Sequence, residues 1–460
     1  MDSVAAPPCH VVAVPYPGRG HVNAMLNLCR LLAARNGVSA TVVVTEEWLG
    51  LLGGRPSAAG AARVRLETIP NVVPSEHGRA ADMDGFFEAV NTRMEAPFER
   101  LLDRLDPPTA IVADTFLPWA VCVGNRRGVP VCILSPLNAT MFSLHYHFDR
   151  LPVAAGGGAS PLSDDSDGAD SCLIESYIPG LKSIRLTDLE PTHSNKIALN
   201  MILQPYAHVR KAQCIIFTSF YEFESTAIDS LRRELPCPVF AVGPCIPFMA
   251  LQEHSANSEE EQGGYMAWLD AQPVNSVLYV SFGSFLPVSS TQVDEIAIGL
   301  AQSNVRFLWV LRDACSRVQD LICGSNCVVV PWSDQLKVLC HPSVGGFFTH
   351  CGMNSTLEAV HAGVPMLTLP IAIDQPVNSR LITDVWKIGY SIKEKIRADG
   401  VIRREEISKT VNRLMNCDDG EGTRMRASLL KEASHDATEV GGSSHKDITS
   451  FINYISEFKN

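Results

Sequence analysis

Apolar and polar positions along this chain switch repeatedly between two periods. CHVVAV (9–14) is a short β-branched run, the pattern of a strand buried on both faces. From His21 the apolar positions Val22, Met25, Leu26, Cys29, Leu32 and Ala33 fall at helical spacing, and Asn36-Gly37 supplies a stop. ATVVVT (40–45) is again a strand run. The opening is therefore a βαβ unit with His21 at the N-terminus of its first helix, the start of a doubly wound α/β domain. The same reading predicts strands in RVRLETIP (63–70), TAIVADTF (109–116), GVPVCILSP (128–136), AQCIIFTSF (212–220) and CPVFAVGP (237–244), and a helix over 86–105.

The second half repeats the alternation. SVLYVSFGSF (276–285) is a strand and turn, followed by a helix over TQVDEIAIGLAQS and strands in RFLWVL (306–311) and NCVVVPW (326–332). VGGFF, THCGMNS and STLEAVHAG then read as strand, tight turn and helix, stopped by Gly363-Val364-Pro365. A strand in PMLTLP (365–370) and helices over 404–416 and 424–437 complete the pattern. Between the halves lies the polar stretch LQEHSANSEEEQGG, which marks a linker. The domains expected are 1–250, the linker 251–264, 265–442, and an amphipathic terminal helix, 443–460, after a Gly-Gly-Ser break. VAAGGGASPLSDDSDGADS (153–171) has almost no large apolar residue and reads as a mobile surface loop.

Composition narrows the classes. With 460 residues, 46% apolar and 19% charged, the chain suits two globular cores rather than one. A formal charge of −12 argues against nucleic acid as a partner, so an anionic ligand would be held by local amides and dipoles. No apolar run approaches a membrane span, the N-terminal stretch lacks the basic region of a signal peptide, and the 14 cysteines include no C-x-x-C pair. These features predict a cytoplasmic protein with reduced thiols.

GRGHVN (18–23) matches the first part of a G-x-G-x-x-G dinucleotide fingerprint, but its third glycine is Asn23. A histidine at a helix N-terminus is held neutral by the dipole and can serve as a base. Asp114, at the end of a predicted strand, is a candidate partner for His21, since ligands of open α/β sheets sit beyond the strands' carboxyl ends. The plainer alternative is that His21 caps a turn and Asp114 ends a strand. Glu358 also has two readings: Ser355-Thr-Leu-Glu358 fits an S-x-x-E capping box. His350 and Trp332 are candidates either for a core or for a site, and Asp374-Gln375 fall where a parallel strand should end.

Residues 332–375 resemble the 44-residue signature box of the plant UDP-dependent glycosyltransferases, which runs from Trp-x-x-Gln through His-Cys-Gly-Trp-Asn-Ser to Asp-Gln. The matching residues are Trp332, Gln335, His341, Gly345, His350, Cys351, Gly352, Asn354, Ser355, Glu358, Gly363, Val364, Pro365, Pro370, Asp374 and Gln375. The resemblance extends to the Pro-Gly-Arg-Gly-His turn at His21 and to the two-domain layout. It implies the GT-B architecture, two facing Rossmann-like doubly wound parallel-sheet domains, with acceptor bound mainly by the first and UDP-sugar by the second, and a terminal helix, 443–460, that packs back on the first domain.

The resemblance also implies roles. Trp332 would stack on uracil, Gln335 would hold the nucleoside, and Glu358 would take the ribose hydroxyls in preference to a capping role. His350, Asn354, Ser355 and the turn at Ser284 would bind the diphosphate, Gly352 would belong to the same UDP-sugar site, and Asp374 and Gln375 would bind the sugar hydroxyls. His21 would be the catalytic base and Asp114 its acid partner. Two departures stand out: Met353 replaces the family's Trp, and Arg19 and Ala24 replace its usual Gln and Pro.

The expectation is an inverting hexosyltransferase of plant secondary metabolism, monomeric, with no metal and no cofactor. It would move glucose, to which Gln375 points by family analogy, from UDP-glucose or another UDP-sugar to a hydroxyl of a small lipophilic acceptor. The rival readings are a UDP-sugar-binding protein without transfer activity and an NAD-dependent enzyme built on the 18–23 turn.

Overall fold

The structure, a computed structural model, describes residues 9–53, 63–77, 79, 82–152, 173–189, 196–252, 264–283, 289–311, 315–322, 326–392, 400–416 and 419–458. The chain forms two compact units. One comprises Met1–Lys182, Glu190–Ile246 and Asp436–Asn460, the other Ser183–Leu189 and Pro247–His435. Ser183–Leu189 joins the second unit through Asp188, whose carboxylate accepts from Arg380 Nη2 at 3.1 Å. The stretches 153–171 and most of 251–264 lie outside the described residues.

The first unit is built on strands β1 (Cys9–Val14), β2 (Val38–Thr45), β3 (Val64–Ile69), β4 (Ala110–Asp114), β5 (Val131–Ser135), β6 (Cys214–Phe217) and β7 (Val239–Ala241). They lie in the order β3-β2-β1-β4-β5-β6-β7, and every pairing is parallel. Helices cover both faces of such a sheet, so its central strands are buried throughout and apolar up to their last residues, Asp114 and Ser135: all five residues of β4 and all five of β5 are buried. The strand order reverses between β1 and β4, and a crevice opens beyond the carboxyl ends of those two strands.

The stretch 86–105 forms two helices rather than one, Met83–Arg93 and Glu95–Leu102. Pro97 is the reason. It has no N–H to give the Arg93 carbonyl four residues back, and its ring collides with that carbonyl, so the helix breaks at Met94.

The last helix, Ser443–Glu457, follows Gly441 (φ +91°) and packs on β7. The Asp447 carboxylate accepts the Ala241 N–H at 2.7 Å and an Arg232 N–H at 3.0 Å. Phe451 meets Phe240 at 5.8 Å between ring centroids, and the Tyr454 hydroxyl donates to the Gln213 carbonyl at 2.9 Å.

The second unit repeats the design with β8 (Val277–Ser281), β9 (Arg306–Val310), β10 (Cys327–Val330), β11 (Val344–Thr349), β12 (Met366–Thr368) and β13 (Gly389–Ser391). The order is β10-β9-β8-β11-β12-β13, again all parallel, with the reversal between β8 and β11. Trp309, Phe348, Leu278, Ile296, Ile407 and Leu414 belong to its buried core.

Candidate functional site

In the first unit, β1 runs through the turn Pro15–Gly18 into the helix Arg19–Ala33. The helix begins three residues before Val22, the first periodic apolar position, which puts His21 in its first turn. Asp114 is the last residue of β4, the neighbour of β1 across the reversal of strand order. The two side chains meet: His21 Nδ1 lies 2.8 Å from Asp114 Oδ2. The Asp114 carboxylate is fully buried, and its other oxygen accepts the Phe116 N–H at 3.0 Å. The His21 side chain is thus paired across neighbouring strands and not only within its own turn. With the Nδ1 proton given to Asp114, the lone pair of the ring lies on Nε2, and the buried carboxylate is placed to stabilise an imidazolium. Tyr16 and Phe116 flank the imidazole at centroid distances of 5.1 and 5.8 Å.

From Phe116 a succession of rings leads to Tyr206 (6.3 Å) and on to Phe142 (5.1 Å) and His145 (5.2 Å). Beyond them a pocket of about 290 Å³ is lined by His145, Tyr146, Phe148, Leu203, Tyr206 and Arg210, among others. His145 and Tyr146 in this wall end the helix Ala139–Tyr146, which is capped by Asn138, whose side chain accepts the Met141 N–H at 2.6 Å. A second acceptor secures the same helix start: buried Glu224 takes the Ala139 N–H at 2.8 Å and the hydroxyl of Ser219. Burial pushes the Glu224 carboxyl up to about 7, its hydrogen bonds offsetting part of that rise. Sequence reasoning missed Glu224, because an acid within the helix Tyr221–Glu234 reads as part of a solvated face.

In the second unit, β11 ends in a turn where Cys351 is held at φ +69°, and the helix Met353–Ala362 starts with Gly352 as its N-cap. Its N-cap glycine has no side chain to cap the start, and the positive end of the helix dipole lies at this turn. The capping box is not formed, because the helix begins at Met353 and so places Ser355 and Glu358 inside it. Both side chains instead accept from Gln335 Nε2, Ser355 Oγ at 2.9 Å and Glu358 Oε2 at 2.7 Å. Glu358 keeps some exposed surface, yet burial of its carboxyl raises it to about 7. Trp332 is 59% exposed, which excludes a core role and leaves an indole face open as a platform.

His350 sits between the ends of β8 and β11. A Cβ added at Gly283 would lie 2.7 Å from its Nε2, and one at Gly352 2.8 Å from the same atom, so only glycine leaves room for the ring. Burial lowers the His350 pKa to about 4, with the Ser281 backbone offsetting part of the drop. The ring is therefore a neutral imidazole at neutral pH. Asn354 is the second residue of the helix Met353–Ala362 and is half-buried, whereas Met353 is buried. Ser284 lies outside the described residues.

Asp374 and Gln375 open the helix Gln375–Arg380. Gln375 Oε1 accepts the N–H groups of Ile371 and Ala372 at 2.7 and 3.1 Å, which fixes the orientation of its amide. Asn378, which the motif reading passed over, ties this segment to the turn of β11. Its amide donates to Cys351 O at 2.8 Å and to Asp374 Oδ2 at 2.7 Å. Its spacing of four residues from Asp374 on one helix face was the available signal.

Among the described residues no group of three His, Cys, Asp or Glu side chains is arranged to hold a metal ion, and no helix is long and apolar enough to cross a membrane. Residues 244–408 match the family model described as UDP-glucoronosyl and UDP-glucosyl transferase. Over its whole length the chain is 43% identical to UDP-glycosyltransferase 87A2 of Arabidopsis thaliana, covering 99% of both chains. A UDP-glucosyltransferase from Polygonum tinctorium capable of glucosylating indoxyl, solved with 3,4-dichloroaniline, is similar with a TM-score of 0.83 at 28% identity, covering 98% of this chain and 99% of that one. Phytolacca americana UGT2, solved with UDP-2-fluoro-glucose and pterostilbene, is similar with a TM-score of 0.81 at 27% identity, covering 97% of this chain and 100% of that one. The two Rossmann-like units are those of the GT-B fold, and the chain belongs to the plant UDP-glycosyltransferases, enzymes that transfer a sugar from a UDP donor.

Proposed function

We propose that this enzyme transfers glucose from UDP-glucose to a hydroxyl of a small lipophilic acceptor with inversion at the anomeric carbon. The observation that carries the reading is the 2.8 Å pairing of His21 with buried Asp114 at the carboxyl ends of β1 and β4. His21 Nε2 takes the acceptor's hydroxyl proton as the oxygen attacks the anomeric carbon from the face opposite UDP, and Asp114 stabilises the imidazolium that forms. The ring-lined pocket of the first unit suits a flat, largely apolar acceptor, in keeping with the indoxyl and pterostilbene named for the two solved relatives.

The second unit holds the donor. The open indole of Trp332 stacks on uracil, and Gln335 and Glu358 receive the nucleoside, with the carboxyl of Glu358 accepting from the ribose hydroxyls. The amides of the helix start at Met353, with Asn354, Ser355 and His350, bind the diphosphate and stabilise the charge it gains on leaving. Asp374 accepts from sugar hydroxyls while the Gln375 amide nitrogen donates to one. Solved relatives that hold UDP-glucose or its 2-fluoro analogue support glucose over other sugars.

The test is UDP release over a panel of phenolic and terpenoid acceptors with His21→Ala beside wild type. Loss of transfer with UDP affinity retained is the expected result, and a β-glucoside by proton coupling establishes inversion. Turnover unchanged in His21→Ala removes His21 from the mechanism.

A further inference from the structure

The loop between β3 and the helix Met83–Arg93 carries a buried cation. Arg79 is 3% exposed. Its Nη1 donates to the Pro17 carbonyl at 2.5 Å and to Glu76 Oε2 at 2.6 Å, and its Nη2 donates to the Pro74 carbonyl at 3.2 Å. Pro17 belongs to the turn that delivers His21. The guanidinium also lies over Phe86, 4.0 Å from the ring centre. Phe86 meets Tyr16 edge-on at 5.5 Å, and Tyr16 lies against the His21 ring at 5.1 Å. Arg79 thus reaches the His21 turn twice, by a hydrogen bond to its backbone and through two rings in contact, Phe86 and Tyr16.

The loop is anchored from a third element. Glu47, in the first turn of the helix Glu46–Leu51 after β2, accepts the Glu76 N–H at 3.1 Å and the Ser75 hydroxyl at 2.5 Å. Burying a guanidinium costs desolvation that one carboxylate rarely repays in stability. A buried ion at this place is more economically explained by geometry it imposes on its neighbours.

We propose that Arg79 is a positioning residue for His21, clamping the Pro15–Gly18 turn so that the imidazole is held against Asp114 and the cationic form of the pair is electrostatically tuned from behind. This rests on the reading of His21 as the base. The charged and titratable groups that face the clamp are Glu76 and Glu47 on the loop and helix beside it and Tyr16 in the turn. The Tyr16 hydroxyl, buried and without a hydrogen-bond partner among the described residues, stands in the fields of both Asp114 and Arg79. On the helix of His21 itself, Arg19 lies over Trp48 at 5.6 Å.

Two effects follow and can be separated. Losing the fork loosens the turn, which lowers kcat because a misplaced base acts poorly. Losing the charge while Glu76 and Glu47 remain favours the imidazolium and raises the pH at which the base is deprotonated.

The experiment compares Arg79→Met, Arg79→Lys and Glu76→Gln with wild type in kcat, KM for UDP-glucose, the acid limb of the kcat–pH profile, and thermal unfolding. Arg79→Met is expected to lose about tenfold to a hundredfold in kcat, with KM for UDP-glucose within about twofold and the acid limb moved to higher pH. Glu76→Gln is expected to move that limb to lower pH, and Arg79→Lys to restore the wild-type limb with part of the rate. A role confined to folding would lower Tm and leave the limb in place. If Arg79→Met fails to fold, the opposed behaviour of Glu76→Gln and Arg79→Lys decides. Wild-type kcat in Arg79→Lys together with an unmoved limb in Glu76→Gln overturns the proposal. An active His21→Ala would instead overturn the base itself, and that variant is assayed alongside.

Discussion

Alanine at Gly352 or Gly283 tests whether the His350 cradle serves the diphosphate. At Gly352 the new Cβ would lie 2.8 Å from His350 Nε2 and 3.2 Å from Cε1; at Gly283 the same two atoms would be 2.7 and 2.8 Å away. Ordinary contact begins near 3.4 Å, so the ring or the backbone must move. Both glycines press the same edge of the imidazole, which leaves the ring little room to yield by turning. The Gly352 backbone, φ −61° and ψ 141°, suits alanine, so its penalty is overlap alone, about 1–3 kcal/mol. Gly283 has φ +74°, which adds about 1–2 kcal/mol of left-handed strain. A displaced His350 forfeits a hydrogen bond to a charged phosphate, about 1.5–3 kcal/mol, so UDP should bind roughly ten- to a hundredfold more weakly. Calorimetric titration with UDP and thermal unfolding read the two effects separately. In a His350→Ala background the further loss of UDP affinity on Gly352→Ala should vanish. A Gly352→Ala protein that melts lower but binds UDP as wild type does would refute the role of His350 in holding the diphosphate.

Asp114→Asn keeps an acceptor for His21 but removes the charge that stabilises the imidazolium; kcat should fall by about 10²–10⁴ while UDP affinity is retained, as steady-state rates and titration will report. Glu358 is held at about 7, above its ordinary 4.5, so it favours the fold most at low pH, and that contribution is lost as pH rises through 7. With ribose hydroxyls donating to its ionised form, as the proposed donor site requires, UDP binding should release a proton and tighten between pH 6 and 8, a dependence that Glu358→Gln flattens in titrations run in buffers of different ionisation enthalpy. Burial holds His361 near 4, below its ordinary 6.5, so its contribution is complete above 6.5 and is lost as pH falls towards 4. His361→Gln should therefore lower the midpoint of acid unfolding, an effect of up to about 3 kcal/mol.

Much of this architecture is visible in residue order because parallel sheets demand continuous apolar runs, and β1, β2, β4, β5 and β8 are such runs. The pairing of His21 with Asp114 was also within reach: each ends a strand–turn step, and those steps fall on neighbouring strands at the reversal of sheet order. Register within a helix was harder. Ser355 and Glu358 have capping-box spacing, and only the observed start at Met353 shows that Gln335, from a different helix, takes both side chains. Arg79 and Glu224 left no local pattern at all. Each acts on backbone far along the chain, Arg79 on Pro17 and Glu224 on Ala139, and no periodicity encodes such a contact.

The strap formed by Ser443–Glu457 sets an order of events during synthesis. Its Asp447 occupies the Ala241 amide on the outermost strand β7, and its Phe451 covers Phe240. A ribosome makes those residues only after the whole of Pro247–His435 has been synthesised. Until then the nascent first unit presents an uncapped β7 amide and uncovered aromatic surface, the combination that invites strand-to-strand pairing with other chains. The growing polypeptide thus passes through a vulnerable interval, as long as the translation of its second half, that ends when the tail folds back.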